Sequence, residues 1–303
     1  MGLLDGKVVI VTGGGRGVGR CIALDAAREG AKVLVNDLGG DEAGRGGEIG
    51  PAQAVVNEIK ALGGDARADG HSIADWDEAH RIVQHALDAF GRLDGVVNNA
   101  GILRDKIFHK MSREEFDDVV QVHLKGYFYV SRAAADPFRK RNQGAFVHMT
   151  STSGLIGNFG QANYAAAKIG IVGLSKSIAM DMQRFGVRSN CIAPFAWTRL
   201  VGTIPANTPE EQKRVEGLKK LEPEKISPFA VALLSDAAAN VNGQIFGTRA
   251  NEIFLFGQSR PIRSVHTAEG WSPDTIVERV FPAMDASFYP LHRSGDVFSW
   301  DPI

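Results

Sequence analysis

Short apolar runs alternate along this chain with longer stretches in which apolar residues return every three or four positions. Runs of four to eight apolar, β-branched residues read as buried strands, and the period of 3.6 reads as helices. The strand-like runs are residues 7–11, 32–36, 66–69, 95–98, 145–149 and 187–193, with a last strand somewhere in 244–256. Between them the helical period covers residues 20–29, 51–62, 75–90, 112–138 and 163 to about 185. Pro137 is expected to bend or end the fourth of these helices. Strand and helix in strict alternation predict an α/β fold: a doubly wound parallel sheet with helices on both faces. No linker interrupts the pattern, so a single domain is expected over residues 1–257. A polar stretch with Pro205, Pro209 and Pro223 marks a substrate lid at about 199–227, and residues 258–303 form a C-terminal extension.

Composition removes several function classes. The 303 residues are 44% hydrophobic with a formal net charge of −1, which offers no electrostatic footprint for nucleic acid or an anionic membrane. No stretch approaches the roughly 20 apolar residues of a membrane span, so a cytoplasmic protein is expected. The last residues, Asp-Pro-Ile, are not a peroxisomal address. Cys21 and Cys191 fall in a helix and a strand and read as buried free thiols. No metal is expected.

The chemistry begins at the first strand–helix junction. Thr12-Gly-Gly-Gly-Arg-Gly-Val-Gly19 joins strand to helix, and bare backbone at a helix N-terminus suits a pyrophosphate. The second strand ends at Asp37, eighteen residues after Gly19. An acidic residue there can accept hydrogen bonds from an adenosine ribose, and its charge repels a 2′-phosphate, favouring NAD over NADP. Arg16, in the same loop, argues the other way. Asn98-Asn-Ala-Gly101 closes the fourth strand, at the edge where open α/β sheets bind ligands.

A second cluster follows the fifth strand. Tyr164 and Lys168 stand four apart and share one helix face, and Ser151 lies thirteen residues before the tyrosine. A phenol with a pKa near ~10 holds its proton too tightly to act as a base at neutral pH. A neighbouring ammonium is expected to lower that value, while Ser151 binds the substrate oxygen.

Together these motifs resemble the short-chain dehydrogenase/reductase superfamily, whose fold is a single Rossmann domain. Residues 35–41, 98–105, 122–126 and 157–164 are similar to the (3R)-hydroxyacyl-CoA dehydrogenase unit of the peroxisomal multifunctional enzyme, also described as 17β-hydroxysteroid dehydrogenase type 4. The resemblance implies that Ser151, Tyr164 and Lys168 are catalytic. It implies a cofactor site lined by Gly13, Arg16, Val18, Gly19, Asp37, Ser72, Asn98, Ala100, Gly101, Tyr164, Lys168, Ile192, Pro194 and Thr198. Two positions depart from the superfamily. His123 stands where an Asn is usual, as in the multifunctional-enzyme branch, and is a candidate member of a proton relay. Ser72 stands where an Asp commonly touches adenine.

The resemblance implies reversible, NAD-dependent interconversion of a secondary alcohol and a ketone, with a 3-hydroxyacyl-CoA thioester as leading substrate. A free hydroxysteroid is the enzyme alternative. A carrier-protein reductase would favour NADPH, which Asp37 opposes, and a nucleotide-sensing regulator would show a damaged triad. The resemblance also places the helices of residues 112–138 and 163–185 at a two-fold interface, implying a homodimer or homotetramer. In the extension, Trp271, Phe281, Phe288, Tyr289, Phe298 and Trp300 predict an ordered, docked segment. Ser272-Pro273 is expected to start a helix with a stripe of Ile276, Val277, Val280 and Phe281, limited by Pro282.

Overall fold

Residues 2–40, 49–196, 208, 216–218 and 220–302 are described by the structure, a computed structural model. Strands β1 (Val8–Thr12), β2 (Lys32–Asn36), β3 (Ala66–Asp69), β4 (Gly95–Asn98), β5 (Gly144–Met149), β6 (Val187–Phe195), β7 (Ile245–Arg249) and β8 (Glu252–Leu255) form one sheet. Their order is β3-β2-β1-β4-β5-β6-β7-β8. All neighbours run parallel except β7 and β8. The chain therefore reverses its direction of winding between β1 and β4, and the crevice at their carboxyl ends is where such sheets bind ligands.

The two faces of the sheet are filled by residues that alternate along each strand. Val9 and Val11 of β1 join a core with α1 (Gly17–Arg28), α2 (Gly50–Ala61) and α8 (Ser227–Leu234). Val8 and Ile10 point the other way, to α3 (Trp76–Phe90), α5 (Gly126–Arg141) and α7 (Ala162–Met182). A strand buried on both faces shows no polar alternation, which is why these runs are continuously apolar. Helix ends follow local chemistry: the Asp75 carboxylate caps α3 by accepting from Glu78 N at 2.9 Å. Ser112 and Glu115 form a capping box at α4 (Arg113–Val120).

Four expectations are corrected. The last predicted strand is two, because Ala250 takes a left-handed conformation (φ 52°) and a two-residue link permits only an antiparallel return. Pro137 lies inside α5, which runs on to Arg141 and stops where Asn142 turns left-handed at φ 50°. Between α4 and α5 the helix widens into a π turn, Gln121–Lys125, rather than continuing evenly. Pro282 lies at the start of the helical turn Phe281–Met284, just after Phe281, instead of ending a helix.

Of the expected lid, residues 199–207, 209–215 and 219 lie outside the described residues. Its far end, the turn Pro223–Lys225, packs on α1, where Ser227 Oγ donates to Asp25. In the extension Ser272 does cap a helix, accepting from Thr275 N at 3.2 Å. The expected apolar stripe, however, is a π turn, Ile276–Val280, with no buried residue, and Phe288 and Tyr289 are exposed. No described helix is long and apolar enough to cross a membrane.

Candidate active site

At the carboxyl end of β1 the chain turns through four residues before α1. Gly13 holds φ 62°, and a Cβ there would lie 2.7 Å from the Ala100 Cα. A Cβ on Gly19 would lie 2.1 Å from the Gly13 carbonyl oxygen, so α1 seats against its own entry loop only with bare backbone. No side chain caps α1 and none in its first turn is acidic, which leaves its positive end free for an anion. Both oxygens of Asp37 lock this corner: Oδ2 accepts from Gly15 N and Oδ1 from Gly39 N, each at 2.8 Å. Arg16 crosses the same corner and donates to the Gly40 carbonyl at 3.0 Å. The donor set and the absence of side-chain bulk fit a dinucleotide pyrophosphate with its adenosine ribose beside Asp37.

The Asn-Asn-Ala-Gly segment divides its labour. Asn99 ties it to the glycine turn, donating from Nδ2 to Thr12 O at 3.1 Å and Gly13 O at 3.0 Å. Asn98 is fully buried and turns its amide inward, to Ser131 Oγ at 3.0 Å and His148 Nδ1 at 3.1 Å. His148, pulled down to about 3 by burial, is a neutral ring that reaches on to Ser189 Oγ at 3.1 Å. This buried polar chain under the crevice escaped the sequence reading, since His148 sits in an otherwise apolar strand.

Val18 and Ile192 are buried, Pro194 is half-buried near the end of β6, and Thr198 lies outside the described residues. Ser72 follows β3 as a local turn residue: its Oγ accepts from Ala74 N at 3.2 Å and its own N donates to Glu78 Oε2 at 2.6 Å. Asp69 is no substitute for it, because its carboxylate is spent on Asn36, His71 and His85.

Beyond β5, Ser151 is the extended N-cap of α6 (Thr152–Leu155), and its Oγ accepts from Ser153 N at 3.1 Å. Ser153 Oγ donates to Gln161 Oε1 at 2.8 Å, and Gln161 Nε2 donates to Asp105 Oδ2 at 2.8 Å. The first turn of α7 is fixed by Asn163, wholly buried, whose Nδ2 donates to Arg104 O at 2.9 Å and Glu115 O at 2.8 Å. Its Oδ1 accepts from Tyr164 N at 2.7 Å. Tyr164 and Lys168 share one face of α7, and the Ser151 hydroxyl lies close enough to the phenol to favour its ionised form.

The electrostatics depart from expectation. Desolvation pushes the Tyr164 phenol up to about 12, more than the neighbouring Ser151 hydroxyl pulls it down. Lys168, buried, falls from 10.5 to about 7 for the same reason. Its Nζ donates to Met149 O at 2.5 Å and approaches Tyr127 OH at 3.5 Å, while lying 5.4 Å from the Tyr164 ring centre. The amine is thus near the phenol without a hydrogen bond to it, and burial is the largest influence on both groups.

His123 lies in the π turn, where the extra residue brings it inward to 3% exposure. Its ring stands edge-on to Tyr164 with centres 5.1 Å apart. Nε2 lies 2.8 Å from Ile102 O and 3.1 Å from Ile102 N, and Nδ1 has no partner among the described residues. Burial, then the Lys168 charge, hold it neutral, and the shorter contact puts its proton on Nε2. A Cβ on Gly101 would lie 2.2 Å from His123 Cε1, so glycine at one position and histidine at the other are a matched pair. Tyr127, one turn after His123 and fully buried against the lysine, was not singled out from sequence.

The family model described as short chain dehydrogenase matches residues 7–203. A Mycobacterium tuberculosis protein named as a short-chain type dehydrogenase/reductase is 45% identical over 254 residues, covering 83% of this chain and 86% of its own. Peroxisomal multifunctional enzyme type 2 of Mus musculus is 45% identical over 249 residues. That match takes in 82% of this chain but only 32% of the mouse protein, so the chain spans about a third of that relative. A crystal structure of a short chain dehydrogenase from Mycobacterium avium superposes with TM-score 0.83 at 41% identity, covering 95% of this chain and 98% of that one.

Proposed function

This chain belongs to the short-chain dehydrogenase family and is an oxidoreductase with a nicotinamide nucleotide, and from that premise we propose that it interconverts a secondary alcohol and its ketone with NAD. The observation that carries the proposal is the meeting of Ser151, Tyr164 and Lys168 beside the glycine turn, at the carboxyl edge of one sheet. Bound there, the nicotinamide supplies hydride acceptance and donation. The Ser151 hydroxyl donates to the substrate oxygen. The Tyr164 phenol exchanges its proton with that oxygen, which requires a phenolate in one direction. An ammonium at Lys168, 5.4 Å from the centre of the Tyr164 ring, favours the phenolate by roughly 3 kcal/mol at an effective dielectric of about 20 when its charge is taken at the ring centre. That is about two pKa units, enough to offset the desolvation of the phenol. The protonation state of Lys168 therefore governs the acid–base step.

His123 serves in this scheme as support for Tyr164. A relay needs both ring nitrogens, and Nε2 is committed to the Ile102 backbone. Asp37, its charge at the ribose corner, supports NAD over NADP, with Arg16 the opposing group. Similarity to peroxisomal multifunctional enzyme type 2, together with the motifs resembling a hydroxyacyl-CoA dehydrogenase unit, supports a 3-hydroxyacyl-CoA as substrate. The two buried thiols suit a reducing compartment, and we place the protein in the cytoplasm on that ground. The test is turnover, followed by nicotinamide absorbance, of matched 3-hydroxyacyl thioesters with and without the CoA moiety, beside free steroid alcohols. A KM for the CoA thioesters no lower than for truncated thioesters would remove CoA from the proposal. Turnover of steroid alcohols alone would replace the substrate class.

A further inference from the structure

The hydrophobic cores of the fold form without the extension: no described residue after Phe256 belongs to them. Yet the chain returns at residues 292–300 to the carboxyl edge of the sheet and attaches there on both flanks of the candidate site. On one flank Ser294, only 7% exposed, donates from Oγ to Thr152 Oγ1 at 2.6 Å and from N to Gly157 O at 2.9 Å. Arg293 lies 5.7 Å over the Phe159 ring. On the other flank Phe298 packs on Phe195, the last residue of β6, at 4.8 Å and on Phe254 at 5.2 Å. Trp300 secures that end: its Nε1 donates to Glu252 Oε1 at 2.7 Å, and its carbonyl accepts from Arg249, which also pairs with Glu252 at 2.9 Å.

Thr152 is the residue after Ser151 and the first of α6, the turn that Ser151 caps. A bond to Thr152 fixes the peptide next to the hydroxyl that is to meet the substrate oxygen. We propose that residues 293–300 form a strap across the site edge, and that Ser294 is a positioning residue acting through Thr152 on Ser151. The inference rests on the reading of Ser151 as a substrate-binding group. Both partners of the bond are buried, so deleting the Ser294 hydroxyl strands the Thr152 oxygen and frees the α6 turn to move. Small displacements of positioned groups are costly, up to about a hundredfold in rate for about 1 Å.

The test compares Ser294→Ala, Thr152→Val, their double variant and Thr152→Ser by steady-state kinetics, nucleotide affinity and hydrogen exchange at amides 151–157. Ser294→Ala and Thr152→Val should each lower kcat by roughly tenfold with nucleotide Kd unchanged. The double variant should be no worse than either single, and Thr152→Ser, which keeps the hydroxyl, should match the unmodified protein. Exchange at 151–157 should quicken in the first three alone. Unchanged kcat and exchange in Ser294→Ala would overturn the strap, as would equal losses in nucleotide affinity and melting temperature, the sign of a general structural role. If no secondary alcohol is turned over, the functional reading fails, while the exchange pattern still decides whether the strap holds the turn.

Discussion

Lys168 turns burial into a measurable slope. Its amine falls to about 7 in the folded chain and titrates near 10.5 when unfolded. Between about pH 7 and about pH 9 the unfolded chain therefore carries a proton that the folded chain has released, and stability rises with pH across that window. At about 1.4 kcal/mol per unit, less the fraction of folded amine still protonated near pH 7, the gain is about 2 kcal/mol. Few other groups intrude. His123 and His148 are lowered from 6.5 and differ between the two states only below that value. The thiols of Cys21 and Cys191, raised from 9.0 to about 12, oppose the rise only as the pH nears 9.0, and take back part of it there. Urea unfolding of the protein without added nucleotide, at three pH values across the window, should show the rise. Lys168→Met, which keeps the volume and loses the proton, should be flat. An unmodified protein as flat as the variant would refute the depressed lysine and mean that Lys168 stands charged beside Tyr164 throughout.

Three further outcomes follow from the proposed chemistry. Tyr164→Phe should keep the fold and nucleotide affinity and lower kcat by roughly 10²–10⁴-fold, since it removes only the proton-carrying oxygen; turnover within a few-fold of normal would dismiss the phenol from the reaction. The unmodified protein should prefer NAD⁺ to NADP⁺ in kcat/KM, and Asp37→Ser should narrow the gap; a native preference for NADP⁺ would assign the pocket to Arg16. Light scattering at micromolar concentration should give a dimer or tetramer, because α7 turns Ala166, Ile169, Gly173 and Met180 outward in a row and α5 exposes Phe128; a monomeric mass would refute an interface on these helices.

The sheet was legible because its strands are buried on both faces, so each is a continuous apolar word with a helix-period phrase between. Boundaries were lost where a backbone conformation, not a side-chain pattern, decides them. Ala250 is left-handed without being glycine, so the β7–β8 reversal has no compositional marker; the end of α5 does have one, Asn142 after Arg139-Lys140-Arg141, which Pro137 overshadowed. The π turn at Gln121–Lys125 adds one residue to a helix and shifts its apolar phase, which a period count reads as noise. The extension misled in another way. Its aromatic content predicts burial, but a single chain covers little of it: Phe298 is half-buried while Tyr289 is 82% exposed.

Spacing singled out the groups proposed to react and missed what sets their acidity. The four-residue interval between Tyr164 and Lys168 puts them on one face of α7, but it does not say how much water each retains. Desolvation raises a phenol and lowers an amine, so burying the pair widens the set of pH values at which both are neutral. A phenol near 12 beside an amine near 7 is a resting pair, poor as a base. The residues that impose this state lie outside the motifs. Tyr127 and His123 wall the pair on one side, and Met149 O takes the ammonium's hydrogen bond, holding it from the phenol. A negative charge brought near Lys168, or a new acceptor for its Nζ, would restore the ammonium and lower the phenol with it. Readiness for proton transfer then belongs to the assembled site with its ligands, so the acid–base power of Tyr164 should be read from kinetics with bound nucleotide rather than from titration of the free protein.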